Sequence, residues 1–242
     1  MIEKTGGIVL HSIRYGDTSL IVKVFTHSHG VQSYMVPGVR KAKSRMPNNL
    51  FQPLTIIDLV AYHKEKGGLQ HIKEVSCLQP YKSIPYDMLK SSVAIFLSEV
   101  LNKSIKEQEP NPGMYAFINQ ALRYFDQTNN PSANFHLVFL IHLSRYLGFQ
   151  PRNNFDRAHC FFNLKEGVFQ KHPGDKHTCL NKELSLHLHE INTCDPYQPD
   201  KITMNSHVRR SLLTGVIDYY SFHLEGFQGV KSHLIFETVL GR

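Results

Sequence analysis

The chain has 242 residues, 41% hydrophobic and 19% charged, which is enough apolar mass for a core and unlike a disordered chain or a coiled coil. No apolar run approaches the ~20 residues that span a bilayer; the best, Phe135 to Leu143, is interrupted by His136 and His142, and the opening Met1-Ile2-Glu3-Lys4-Thr5 has no apolar signal core, so a cytoplasmic protein is expected. Residues 1–80 hold ten Lys/Arg against five Asp/Glu, so +5 of the net +7 lies in the first third, which favours a polyanionic partner.

In chain order, Gly6 to Tyr15 opens with the strand-forming run Ile8-Val9-Leu10. Ser19 to Thr26 alternates, with Leu20, Val22 and Val24 on one face. His27 to Gly30 is a turn whose glycine can take a positive φ, and Val31 to Val36 is the return strand. Leu54 to His63 and Leu69 to Leu78 are two more strands, joined through Gly67-Gly68. Five short strands in about 75 residues fit a small closed barrel, which leaves no exposed edges. Between the third and fourth strands, Pro37 to Pro53 has no clear period and holds Arg40, Lys41, Lys43 and Arg45. A loop of that length in a compact domain is usually functional or disordered.

After Pro85 the period changes to that of helices. Leu89, Val93, Phe96, Leu97, Val100 and Leu101 mark the first. Asn111-Pro112 caps a second, with Met114, Phe117, Ile118, Ala121, Leu122 and Phe125 on its apolar stripe. Asn130-Pro131 repeats the start signal for a third, apolar round most of its circumference and closed by Gly148. Residues 149–200 are irregular, with a possible hairpin of Phe161–Leu164 and Gly167–Phe169 and a short helix from Lys182 to Ile191. Asn205 to Leu224 is a strong helix, and Ser232 to Leu240 a short final one. The fold class is therefore multidomain α+β: a five-stranded barrel over 1–80, then a helical domain over 81–242 with an irregular insert at about 152–200.

Motifs for covalent chemistry are missing. There is no Gly-x-x-x-x-Gly-Lys phosphate loop, no Gly-x-Gly-x-x-Gly, no Gly-x-Ser-x-Gly and no His-Glu-x-x-His. His187-Leu188-His189-Glu190 lacks a partner motif. His159, Cys160, His172, His177 and Cys179 have the ligand types of zinc but poor spacing for it. Neither a cofactor nor a resident metal is expected, and the four scattered cysteines suit reduced thiols. The basic loop is the feature that points to function: Lys and Arg neutralise phosphates and release counterions whatever the sequence of the nucleic acid. Arg14 and Lys23 are further candidates for phosphate contact. Tyr15, Phe25, Tyr34, Phe51 and Tyr62 either stack on unpaired bases or fill the barrel.

These segments resemble the bacterial RecO family over nearly the whole chain. Gly7-Ile8-Val9-Leu10, Tyr15-Gly16-Asp17-Thr18-Ser19-Leu20 and Val24-Phe25-Thr26 look like its first two strands. Val36-Pro37-Gly38-Val39-Arg40-Lys41-Ala42-Lys43-Ser44-Arg45 is similar to its basic loop. Ser98-Glu99-Val100-Leu101, Tyr146 to Pro151 and Arg210-Ser211-Leu212-Leu213 resemble parts of its helical region. The resemblance implies an oligonucleotide-binding (OB) barrel and a nucleoid-associated, non-enzymatic recombination mediator of the RecF pathway. Such a mediator binds single- and double-stranded DNA, anneals complementary strands and, with RecR, helps load RecA onto DNA coated by single-strand-binding protein (SSB). It also implies contact with the SSB tail through the helical domain. Phe135, Phe139, His142 and Arg145 could supply the apolar pocket and cation, although core packing is the alternative for both phenylalanines. Many members hold zinc with four cysteines after the Leu-Gly-x-x-Pro segment. Only Cys160 and Cys179 stand there in this chain, as in a metal-free branch.

Two other readings compete: a barrel module for RNA or tRNA with a helical oligomerisation domain, and a metal-dependent hydrolase using the His-rich stretch 159–190.

Overall fold

The computed structural model describes residues 2–41, 46–63, 68–77, 79–129, 133–175 and 177–233. It forms two compact units, Met1–Gln127 and Thr128–Arg242.

In the first unit, β1 (Ile2–Tyr15), β2 (Ser19–Thr26), β3 (Gly30–Val36), β4 (Ile56–Tyr62) and β5 (Leu69–Ser76) close into a barrel. The order is β1-β2-β3-β5-β4, with β3 and β5 parallel and the other pairs antiparallel. This is an OB-type barrel. The alternation of β2 is used as the pattern demands: Leu20, Val22 and Val24 face the interior with Tyr34, Val36, Ile57, Leu59 and Ile72. β1 begins four residues before the expected Gly6, because Ile2 to Thr5 pair with β4. From Gly7 the strand also pairs with β2, and a bulge between Val9 and His11 shifts that register where the pairing with β4 has ended. Gly30 ends the β2–β3 turn with φ +58, and a Cβ there would collide with the backbone carbonyls of Glu107 and Glu109. The buried Thr26 hydroxyl closes the same turn, donating to Gly30 O (2.9 Å) and accepting from His29 N (3.0 Å).

Two helices complete this unit. α1 (Met88–Ser104) is capped by Asp87, which accepts from Lys90 N at 2.9 Å; α2 (Pro112–Gln127) is capped by Asn111, which accepts from Met114 N at 3.0 Å. Ser98 donates to Leu10 O at the β1 bulge (2.8 Å), and Tyr115 packs against Phe25. The segment leading into α1 is pinned by Asp126, whose carboxylate accepts from the backbone N–H groups of Lys82, Ser83 and Ile84 at 2.8–3.0 Å. The buried Lys90 ammonium donates to Ser83 Oγ and to Asp126 O.

In the second unit, α3 (Phe135–Tyr146) packs against α4 (Lys182–Thr193) and α5 (Ser206–His223). Its apolar circumference is buried almost completely. The expected start at Asn130-Pro131 lies outside the described residues. Asn134 stands at the N-cap position, but its side chain is used elsewhere: Nδ2 donates to Ile202 O (2.6 Å) and Oδ1 accepts from Arg209 Nε (3.0 Å). Gly148 (φ +86) ends α3 in a Schellman arrangement, with Phe149 N donating to Ser144 O and Gly148 N to Arg145 O. The hairpin of 152–200 is present as β6 (Phe161–Asn163) and β7 (Val168–Gln170). Asn154 exchanges two hydrogen bonds with the backbone of Phe169 on β7. The final helix expected from Ser232 falls mostly on 234–242, outside the described residues. No described helix is long and apolar enough to cross a membrane.

Candidate nucleic-acid interface

The barrel gathers basic residues that are remote in sequence. The β1–β2 turn stands beside the end of β3, since Arg14 pairs with Leu20 and Leu20 with Val36. Beyond β3 the chain turns back on itself: Gly38 has φ +69, and Lys41 N donates to Gly38 O (3.1 Å). Val39 is buried in the barrel core, and Arg40 N donates to Thr18 O in the neighbouring turn (3.0 Å). An apolar plug and a main-chain bond thus hold Arg40 and Lys41 outward on the same rim as Arg14, all three exposed. Asp17 shares that turn, leaving the described rim with three cations against one carboxylate. Lys43 and Arg45 lie outside the described residues.

Lys23 has a different position. Its ammonium donates to Asn102 O (2.8 Å) and Ile105 O (3.5 Å) at the end of α1, where a cation offsets the negative pole of the helix. Burial lowers its pKa, and so does the charge of Lys106. Lys106 was not a sequence candidate: it stands in the α1–α2 connector, which carries no motif, and only the tertiary fold brings it to the barrel.

The five aromatics divide. Phe25, Tyr34 and Phe51 are each 1% exposed and belong to packing, so stacking on bases is excluded for them. Tyr15 and Tyr62 are 52% and 45% exposed. Tyr15 shares the rim with Arg14, next to it in the chain.

Residues 1–81 match the family described as Recombination protein O N terminal, and residues 85–232 match Recombination protein O C terminal. The chain belongs to the RecO family. It is 40% identical to the DNA repair protein RecO of Flavobacterium psychrophilum over 98% of both chains. It is 34% identical to that of Phocaeicola vulgatus over 96% of both, and 37% identical to that of Flavobacterium johnsoniae over 95% of both. Membership puts its role in DNA repair and recombination.

The residues expected to take the SSB tail in this RecO chain do not form an open pocket. Phe135 and Phe139 are each 2% exposed, with ring centroids 6.1 Å apart, so their surface is spent on the core. His142 is half-buried beside Cys194 (3.9 Å); burial lowers its pKa despite the opposing pull of backbone hydrogen bonding at Ile191. Arg145 alone of the four is exposed.

Among the described residues, no three His, Cys, Asp or Glu side chains stand together as a metal site. Cys179 is buried in an isolated bridge with Asn163, and its thiol donates to Leu180 O (3.6 Å). His159 is turned onto Asp156, His187 onto Glu190, and His189 stacks on Phe155. Aromatic packing of Phe155, Phe162, Phe169 and Tyr219 ties this segment together instead.

Proposed function

We propose that the chain is a recombination mediator that binds single- and double-stranded DNA through the barrel rim and anneals complementary strands. With RecR, it helps load RecA onto SSB-coated single strands. The observation that carries this reading is the convergence of Arg14, Arg40 and Lys41 on one rim, held by the buried Val39 and by the Arg40 N–H to Thr18 O bond. Lys43 and Arg45 continue the same basic run in sequence.

Annealing brings two polyanions together, so the energetic problem is their mutual repulsion. Cations that replace condensed counterions offset it without reading bases, which suits a protein that must act on any sequence. Exposed Tyr15 adds a stacking surface for an unpaired base. This mechanism needs no covalent step, and none is assigned. RecR and the SSB tail are proposed as protein partners, with Arg145 the one cation of the expected set open to the tail carboxylate.

The test is the annealing of complementary strands pre-coated with the cognate SSB, followed by fluorescence with and without the chain. Acceleration by the chain, lost on replacing Arg40 and Lys41 by Ala, supports the reading. Annealing at the same rate without the chain overturns it. Stronger competition by RNA than by DNA would favour the RNA-binding module instead.

A further inference from the structure

A groove of about 450 Å³ lies away from the rim, between the outer face of the barrel and the α1–α2 connector. That volume falls within the ~300–1,000 Å³ of small-molecule sites. One wall is a row across three strands, where Lys23 pairs with Ser33 and Ser33 with Leu69. The other wall carries Lys106 and Gln108. The connector is fixed there: Ile105 is buried, Val31 N donates to Glu107 O (2.9 Å), and only a glycine at position 30 lets the two backbones come so close. Lys106 therefore stands on a fixed stretch of chain. Among the described lining residues there are two lysines and no carboxylate. Among the described residues Lys23 gives two of its three N–H donors to carbonyls, which leaves one for an anion. Burial, and after it the charge of Lys106, lowers the pKa of Lys23, and an anion seated between the two ammonium groups offsets that repulsion.

We propose that this groove holds one phosphodiester unit of single-stranded DNA, with the phosphate between Lys106 and Lys23 beside the Ser33 hydroxyl, and the nucleoside over Leu69. The site rests on the reading of the barrel as a DNA-binding module and extends it. The groove gives the strand a second contact, whose outer wall is built by the α1–α2 connector. At about 450 Å³ the groove has the size of a small-molecule site and not of a duplex, so a duplex engages the rim alone.

The test uses the full chain and its K106Q, K106R and R40A/K41A variants, titrated with a fluorescein-labelled thymidine oligomer and with a duplex of equal length. K106Q should flatten the salt slope on the single strand by roughly 0.7, the share of one phosphate. K106R should restore it, and the duplex slope should stay put. Combined with R40A/K41A, the losses should add. The oligomer should also shield Lys106 from acetylation, read by peptide mass. If K106Q binds single strands like the unaltered chain while R40A/K41A binds them weakly, the groove is refuted and the rim stands. An equal loss on duplex refutes the single-strand assignment. Failure of the unaltered chain to bind any DNA refutes the barrel reading, and the groove with it.

Discussion

Replacing Arg14, Arg40 and Lys41 together by Ala removes the described cations of the rim while leaving its scaffold. Arg40 is tied to Thr18 through its main-chain N–H, which Ala retains, and Val39 stays in the core. All three side chains are exposed, so stability should change by no more than ~0.5 kcal/mol for each. Each phosphate neutralised on a single strand contributes ~0.7 to the slope of log K against log salt, so three lost contacts flatten it by about 2. Between roughly 50 and 200 mM salt, the loss of affinity then shrinks by a factor of about 20 relative to the unaltered chain. Anisotropy titrations of a labelled oligonucleotide at four salt concentrations, with a melting curve as control, measure this. An unchanged slope in a folded variant would remove the rim from the DNA site.

Three further outcomes follow from particular contacts. Tyr15→Ala should leave the melting temperature in place and weaken single-strand binding by ~1–3 kcal/mol, whereas Phe25→Ala should destabilise the first unit by ~3–5 kcal/mol; paired unfolding and binding curves separate the two roles. Burial pushes the Asp126 carboxyl up, but hydrogen bonds from Lys82, Ile84 and Ser83 outweigh it and hold the pKa below the ordinary value. Its stabilisation is then present above the unfolded value near ~4 and is lost as pH falls through the lower folded value. Urea unfolding between pH 2 and 6, on the order of the carboxyl range, should show that acid limb weakened in Asp126→Asn, and an identical limb would contradict the assignment. Asn134→Ala leaves Ile202 O and Arg209 Nε without this partner, so the second unit should lose ~1–3 kcal/mol in denaturant unfolding, with DNA affinity unaltered.

Much of this molecule is written in local pattern. The alternation of Leu20, Val22 and Val24 and the spacing of Leu89 to Leu101 are fixed by periods of two and 3.6 along the chain, so strand and helix are readable there from sequence alone. Gly30, Asn111 and Gly148 mark their turn and helix ends by side-chain chemistry acting within a few residues, and the basic run after Val39 needs no fold to be seen. What sequence left open depends on neighbours far away in the chain. Closure in the order β1-β2-β3-β5-β4 is set by cross-strand pairing, and the barrel decides that Phe25, Tyr34 and Phe51 pack while Tyr15 and Tyr62 do not. Lys23 looked like a surface cation until the end of α1 met it, and the burial of α3 decided between core packing and an open pocket for Phe135 and Phe139, in favour of the core. Val39 reads in sequence as an ordinary loop residue, yet its insertion in the core holds the charged rim in place. Local preference is a sum over adjacent residues, but burial and charge pairing belong to whichever surfaces the closed fold brings together.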